Sequence, residues 1–92
     1  MKITIIKLGG AALKAALTDP DYFAALERLS SNPKVIVHGG GPAIADLEKK
    51  LGQKSEKLDG QRVTNSETLK TVEMALKGWV NTRIVEGLLK AN

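Results

Sequence analysis

The chain of 92 residues contains no cysteine, which excludes disulfides and thiolate metal sites. Tryptophan, tyrosine and phenylalanine occur once each. So few aromatics offer little for bases to stack on, and the basic residues are scattered, so a nucleic-acid surface is not expected. No apolar run approaches the roughly 18–20 residues that a bilayer-spanning helix needs, so no membrane partner is expected either. The opening stretch, MKITIIKLGG, is too short in apolar residues for a secretory signal and reads as a first strand. Histidine occurs once, and no second histidine or carboxylate cluster stands at metal-ligand spacing, so no metal site is expected. The cysteine-free composition fits a reducing cytoplasm, which is the expected location.

What is present is an ordinary globular balance, 42% apolar and 26% charged. The length fits one small domain with a modest core, a size that gains from pairing with another chain. The net charge of +4 favours small anionic partners such as phosphates and carboxylates.

Ile3 to Leu8 is a β-rich run, apolar enough for burial on both faces, and it stops at Gly9-Gly10. The small-residue stretch AALKAAL follows. Asp19, with Pro20 behind it, is placed to cap a helix carrying Phe23, Leu26 and Leu29, which Asn32-Pro33 ends. Lys34 to His38 reads as a second strand. After Gly39-Gly40-Gly41, Pro42 opens a helix whose apolar stripe is Ile44, Leu47 and Leu51, with Gly52 as its C-cap and Asp46 and Glu48 to Lys50 on a solvated face. KSEKLDGQRVT carries Asp59-Gly60 between two extended pieces, a hairpin signal. Thr64 to Glu67 fits a capping box. Leu69, Val72, Leu76, Val80, Ile84 and Leu88 then repeat at helical spacing, predicting one long amphipathic helix, broken near Gly78 if anywhere. Trp79 on that helix is read as core or interface. Such a helix is too long for so small a core to cover, and a self-association surface is expected along it. Strands alternating with helices point to a layered α/β domain around a mainly parallel sheet.

Both candidate parallel strands end in glycine. In open α/β sheets ligands bind beyond the carboxyl ends of the strands, and two adjacent glycine turns would floor such a site with bare N–H groups. Glycine lets the backbone approach an anion and take positive φ, and the helix opening at Pro42 adds the positive end of its dipole. The pattern is neither G-x-G-x-x-G nor a Walker A loop, and glycines that only turn the chain remain the alternative. Lys7, closing the first strand, offers a point charge for a phosphoryl group in transfer or is simply solvated. Arg62, after the hairpin turn, offers a fork for a carboxylate or is simply exposed. His38 is read as a hydrogen-bonded structural residue ahead of a general base.

The segments IIKLGG, VIVHGGGPAI, DGQRVT and ALKGWVNTRIVEGL, in this order and spacing, resemble the N-terminal part of the N-acetylglutamate kinases within the amino acid kinase family. The aspartate, glutamate 5-, carbamate and uridylate kinases resemble the first glycine loop and depart after it. The aminoadipate-type kinases of lysine biosynthesis share HGGG and a later V-N, and GQRVT favours acetylglutamate over them. The resemblance implies a three-layer α-β-α sandwich with a mainly parallel sheet, here truncated. It implies transfer of the γ-phosphoryl of MgATP to the side-chain carboxylate of N-acetyl-L-glutamate, in arginine biosynthesis. On the matching positions, Lys7 would neutralise the transferring phosphoryl and the amides of Gly10 and Gly40 would bind it. Gly40 and Gly41 would border the amino-acid substrate, and Arg62 would grip its α-carboxylate. The family's nucleotide-binding half, with a second lysine, an aspartate and an asparagine, finds no match in residues 1–92. The expectation is therefore the substrate-binding part alone, inactive as a kinase and holding no ATP or magnesium tightly. The alternative from another class is a non-catalytic phosphate-binding or oligomerising module.

Overall fold

The structure, a computed structural model, describes residues 1–54, 57–62 and 64–91. Its frame is a parallel pair, β1 (Thr4–Leu8) and β2 (Lys34–His38), paired from Thr4 with Lys34 to Leu8 with His38. Parallel strands need a long crossover, and two helices supply it: α1 (Gly10–Thr18) and α2 (Tyr22–Arg28). The single expected helix is thus two, because AALKAAL is itself helical, as its alanines and leucines favour. Asp19 serves the second one less directly than expected. That helix starts at Tyr22, and the Asp19 carboxylate accepts the N–H of Asp21 in the turn before it.

After β2 comes α3 (Gly41–Lys50), with Pro42 in its first turn. Its C-terminus is a Schellman motif: Gln53 N–H donates to the Glu48 carbonyl, Gly52 N–H to Lys49, and Gly52 has φ of 72°. A two-residue hairpin follows, β3 (Lys57–Leu58) and β4 (Gln61–Arg62). Asp59 and Gly60 both have positive φ, the type I′ turn that their pairing predicts. Ser55, Glu56 and Val63 of the hairpin segment lie outside the described residues.

The rest is one continuous helical rod: α4 (Ser66–Glu73), a π-helical stretch (Met74–Val80) and α5 (Asn81–Ala91). The capping box is real but sits one residue later than the sequence suggests. Asn65 accepts from the Thr68 N–H, and Thr68 Oγ1 accepts from the Asn65 N–H. The rod accounts for the longest dimension of the molecule, 42 Å, since at about 1.5 Å per residue it runs about 39 Å. Its buried face explains the π-helical stretch. Buried positions advance by three or four residues, Thr68, Thr71, Ala75, and then by five to Val80 before resuming at Ile84. A π turn holds one residue more than an α turn, so the longer step keeps one face inward along the whole rod. Gly78 lies inside this stretch, where the helix changes type and does not break. Trp79 is turned outward by the same step. It is 58% exposed, with the Arg83 guanidinium 4.5 Å above its ring, so it is no part of the core.

One core joins these pieces. Leu8 packs with Leu13 and Ala16 of α1, Phe23 and Leu26 of α2, and Val80 and Ile84 of the rod, with Ile6 and Ile36 against them. All these helices lie on one face of the sheet. The other face carries Ile5, 71% exposed, with Val35 and Val37 half exposed, which corrects the expectation that β1 is covered on both sides. The chain therefore builds the sheet and one helical layer of the α/β sandwich. No helix among the described residues is long and apolar enough to cross a membrane.

Close packing leaves no room at Gly87, where a Cβ would run into the ring of Phe23 on α2. At Gly78 the same Cβ would meet nothing within 4 Å. Gly87→Ala should lower stability by about 1–3 kcal/mol despite alanine's better helix propensity, whereas Gly78→Ala should leave it unchanged or raise it by up to about 1 kcal/mol. Urea midpoints of the two variants test this directly.

Candidate active site

In-register pairing of Leu8 with His38 puts the two glycine turns side by side at the carboxyl edge of the sheet. Gly39 N–H donates to the Leu8 carbonyl, the last rung of the ladder, so the turns begin at the same level. From there α1 and α3 both start, and neither has a side-chain cap at its N-terminus. Two sets of N-terminal N–H groups and two dipole ends thus meet over one edge. The glycines are needed for conformation as well as access: Gly10 has φ of 49° and Gly40 of 153°, regions that other residues rarely adopt.

Gly40 has a second reason to be glycine. A Cβ there would sit 2.7 Å from Leu76 Cδ2 and 3.1 Å from Val80 Cγ2, both on the π-helical stretch. Gly40 is accordingly buried, while Gly10 and Gly41 are exposed. Lys7 stands on the uncovered sheet face, exposed, one residue before the buried end of β1. The structure therefore brings Lys7, Gly10, Gly40 and Gly41 to one edge.

Arg62 is placed otherwise. Its Nη1 donates to Glu48 Oε1 on α3, and that carboxylate is only 2% exposed. Glu48 was expected on a solvated face with Asp46, and the structure corrects this. It lies four residues after buried Ile44, hence on the same side of α3, turned toward the rod. Burial of a carboxylate is tolerated here because a guanidinium faces it. Beside this pair, Thr71 Oγ1, fully buried, donates to Gln53 Oε1 at 2.7 Å. The hairpin and the end of α3 are thus tied to each other and to the rod.

His38 is hydrogen-bonded on both ring nitrogens, to Gly39 and Asn81, in keeping with a structural role. Asn81, Leu76 and Val80 had no place in the sequence reading of the site. Among the described residues no group of three acidic, histidine or cysteine side chains could hold a metal ion. A concavity of about 590 Å³ lies along β2, lined by Ile36, Ile84 and Leu88 together with the polar Glu27, Asn32, His38 and Asn81. Its lining is mixed, and the candidate site is the edge where the uncapped N-termini of α1 and α3 meet.

The amino acid kinase family profile matches residues 2–92. The chain belongs to the amino acid kinase family. Similar family members include the acetylglutamate kinases of Methylobacillus flagellatus, 47% identical over 91 residues, and Acinetobacter baylyi, 42% identical over 91 residues. Each alignment takes in 91% of this chain and, respectively, 29% and 28% of the relative. The acetylglutamate kinase of Cereibacter sphaeroides is 43% identical over 88 residues, 94% of this chain and 30% of the relative. The chain thus spans less than a third of the length of these relatives. A crystal structure of a Streptococcus mutans protein superposes with a TM-score of 0.71 at 31% identity, covering 97% of this chain and 36% of that one. It supports an α/β fold of the amino acid kinase type.

The Arg62–Glu48 contact makes a measurable claim. Arg62→Leu leaves a carboxylate buried without its cation and should cost on the order of 3 kcal/mol. Glu48→Leu with Arg62→Leu removes both charges and should recover most of that loss. A double-mutant cycle by urea denaturation reads the coupling.

Proposed function

We propose that the chain is the amino-acid-substrate part of an acetylglutamate kinase. In that reading the γ-phosphoryl of MgATP passes to the side-chain carboxylate of N-acetyl-L-glutamate, as a step toward arginine, in the cytoplasm. The observation that supports it most is the meeting of two uncapped helix N-termini and two positive-φ glycines beside Lys7. Phosphoryl transfer asks chiefly for positioning and charge stabilisation, which is what such an edge offers. The 42–47% identity to acetylglutamate kinases points the same way.

MgATP supplies the phosphoryl group. Toward it, Lys7 contributes a mobile positive charge on the open sheet face, and the Gly10 and Gly40 amides contribute donors that cannot be displaced by side chains. Gly40 and Gly41 border the amino-acid substrate, and Arg62 takes its α-carboxylate with a planar fork. No residue of this chain is assigned to magnesium, because no suitable donor cluster occurs among the described residues.

The hold of Glu48 on Arg62 favours a second reading, in which Arg62 is a strut and the chain a non-catalytic phosphate-binding or oligomerising module. Calorimetric titration with N-acetyl-L-glutamate separates the two. Arg62→Lys keeps a cation for Glu48 but loses the fork, and it should weaken binding about tenfold or more under the first reading. Equal affinity in wild type and variant would favour the strut. Titration with α-aminoadipate should give weaker binding if the substrate is acetylglutamate.

We also propose self-association along the rod, where Trp79, Val85 and Leu89 are exposed. Gel filtration at low micromolar concentration should show a species larger than one chain. A monomer alone at that concentration would remove this surface from the account.

A further inference from the structure

The turn after β2 is pegged from one side by two polar residues. His38 Nδ1 lies 2.9 Å from the Gly39 carbonyl oxygen, and Asn81 Nδ2 lies 3.2 Å from His38 Nε2. A carbonyl oxygen only accepts, so Nδ1 carries the proton; an amide nitrogen only donates, so Nε2 is the acceptor. Asn81 therefore fixes the tautomer, and the tautomer fixes which way the Gly39 carbonyl faces.

That carbonyl shares a peptide plane with the Gly40 N–H. All described peptide bonds are trans, and in a trans peptide the C=O and N–H point to opposite sides. Holding the Gly39 oxygen toward the imidazole thus aims the Gly40 N–H away from it. The next peptide is held too, because the Gly40 carbonyl accepts from the Ile44 N–H at 2.9 Å in the first turn of α3. Glycine would otherwise leave both planes free to rotate. A rotated Gly39–Gly40 peptide would present a carbonyl lone pair where the anion needs a donor.

We propose that His38 and Asn81 are positioning residues that aim the Gly40 amide at the transferring phosphoryl group. This rests on the phosphotransfer reading above. Asn81 is well sited for it. It is the first residue of α5, directly after Val80, which packs on Gly40, so one point of the rod sets both where Gly40 sits and which way its amide faces.

Nitrogen-15 NMR of the whole chain tests this, with inorganic phosphate as the probe. The wild-type imidazole should show a protonated Nδ1 and a bare Nε2. Asn81→Leu should give mixed tautomers, displace the Gly40 amide resonance, and weaken phosphate binding about fivefold, read at Gly40 and Gly10 alike. His38→Asn places an amide nitrogen where Nδ1 was and should hold the Gly40 response within about twofold of wild type, whereas His38→Leu should lose it. If His38→Leu does not fold, Asn81→Leu and His38→Asn still decide the matter. A bare Nδ1 in the wild type, or an Asn81→Leu chain with unchanged Gly40 resonance and response, would overturn the proposal. Wild type in which phosphate moves neither Gly10 nor Gly40 would instead overturn the phosphotransfer reading. The tautomer and the Gly40 resonance would then decide alone whether this peptide is held.

Discussion

The missing side chain at Gly40 is the constraint around which the rest of the molecule is arranged. Only a residue without Cβ lets the turn after β2 lie directly on Leu76 and Val80, and only a residue tolerant of φ near 153° turns the chain into α3 there. That seat fixes the distance between sheet and rod. The same Val80 is buried in the core with Leu8 and Ile84, so the contact that shapes the turn also closes the hydrophobic interior. Packing already requires this glycine, and the proposed anion contact would use the same bare backbone, so the two readings of it, structural and functional, do not compete.

Stability around the site comes in two kinds. The core proper is a single apolar cluster under one face of the sheet. Polar groups fasten the outer pieces: Glu48 with Arg62 ties the hairpin to α3, and Gln53 with Thr71 ties the end of α3 to the rod, each with one partner buried. Such contacts cost much when half removed and add little as a pair, so they define geometry more than they add stability. That suits an arginine whose proposed task is to meet a carboxylate at a set place.

Much of this was legible in the residue order, where the cause is local. β1, β2, the Schellman glycine at Gly52 and the Asp59-Gly60 turn each follow from a few neighbouring residues with known backbone preferences. The glycine edge was legible because two strands ending in glycine leave few alternatives. What escaped depends on partners distant in sequence. Glu48 reads as solvated until Arg62 is seen folding back over it, although its spacing of four from Ile44 was a usable signal. Thr68 rather than Glu67 completes the capping box because Asn65, not Thr64, is the cap. Trp79 fits an unbroken α stripe, and only the five-residue step from Ala75 to Val80 puts it outside. The bare sheet face was invisible, since strand composition reports suitability for burial and not the presence of a cover.

The π-helical stretch sets how this chain responds to gaining or losing residues. Each residue of an α-helix turns the next by about 100°, so a deletion inside α5 would rotate everything beyond it off the core. Between Met74 and Val80 the opposite holds, because that stretch already carries one residue more than an α-helix needs to join Ala75 to Val80 on one face. Excision of solvent-facing Gly78 would let the stretch relax to ordinary α geometry with both flanking faces still aligned. The rod thus has one place where its length can change by a single unit without unmaking the fold, and it lies next to the seat of Gly40.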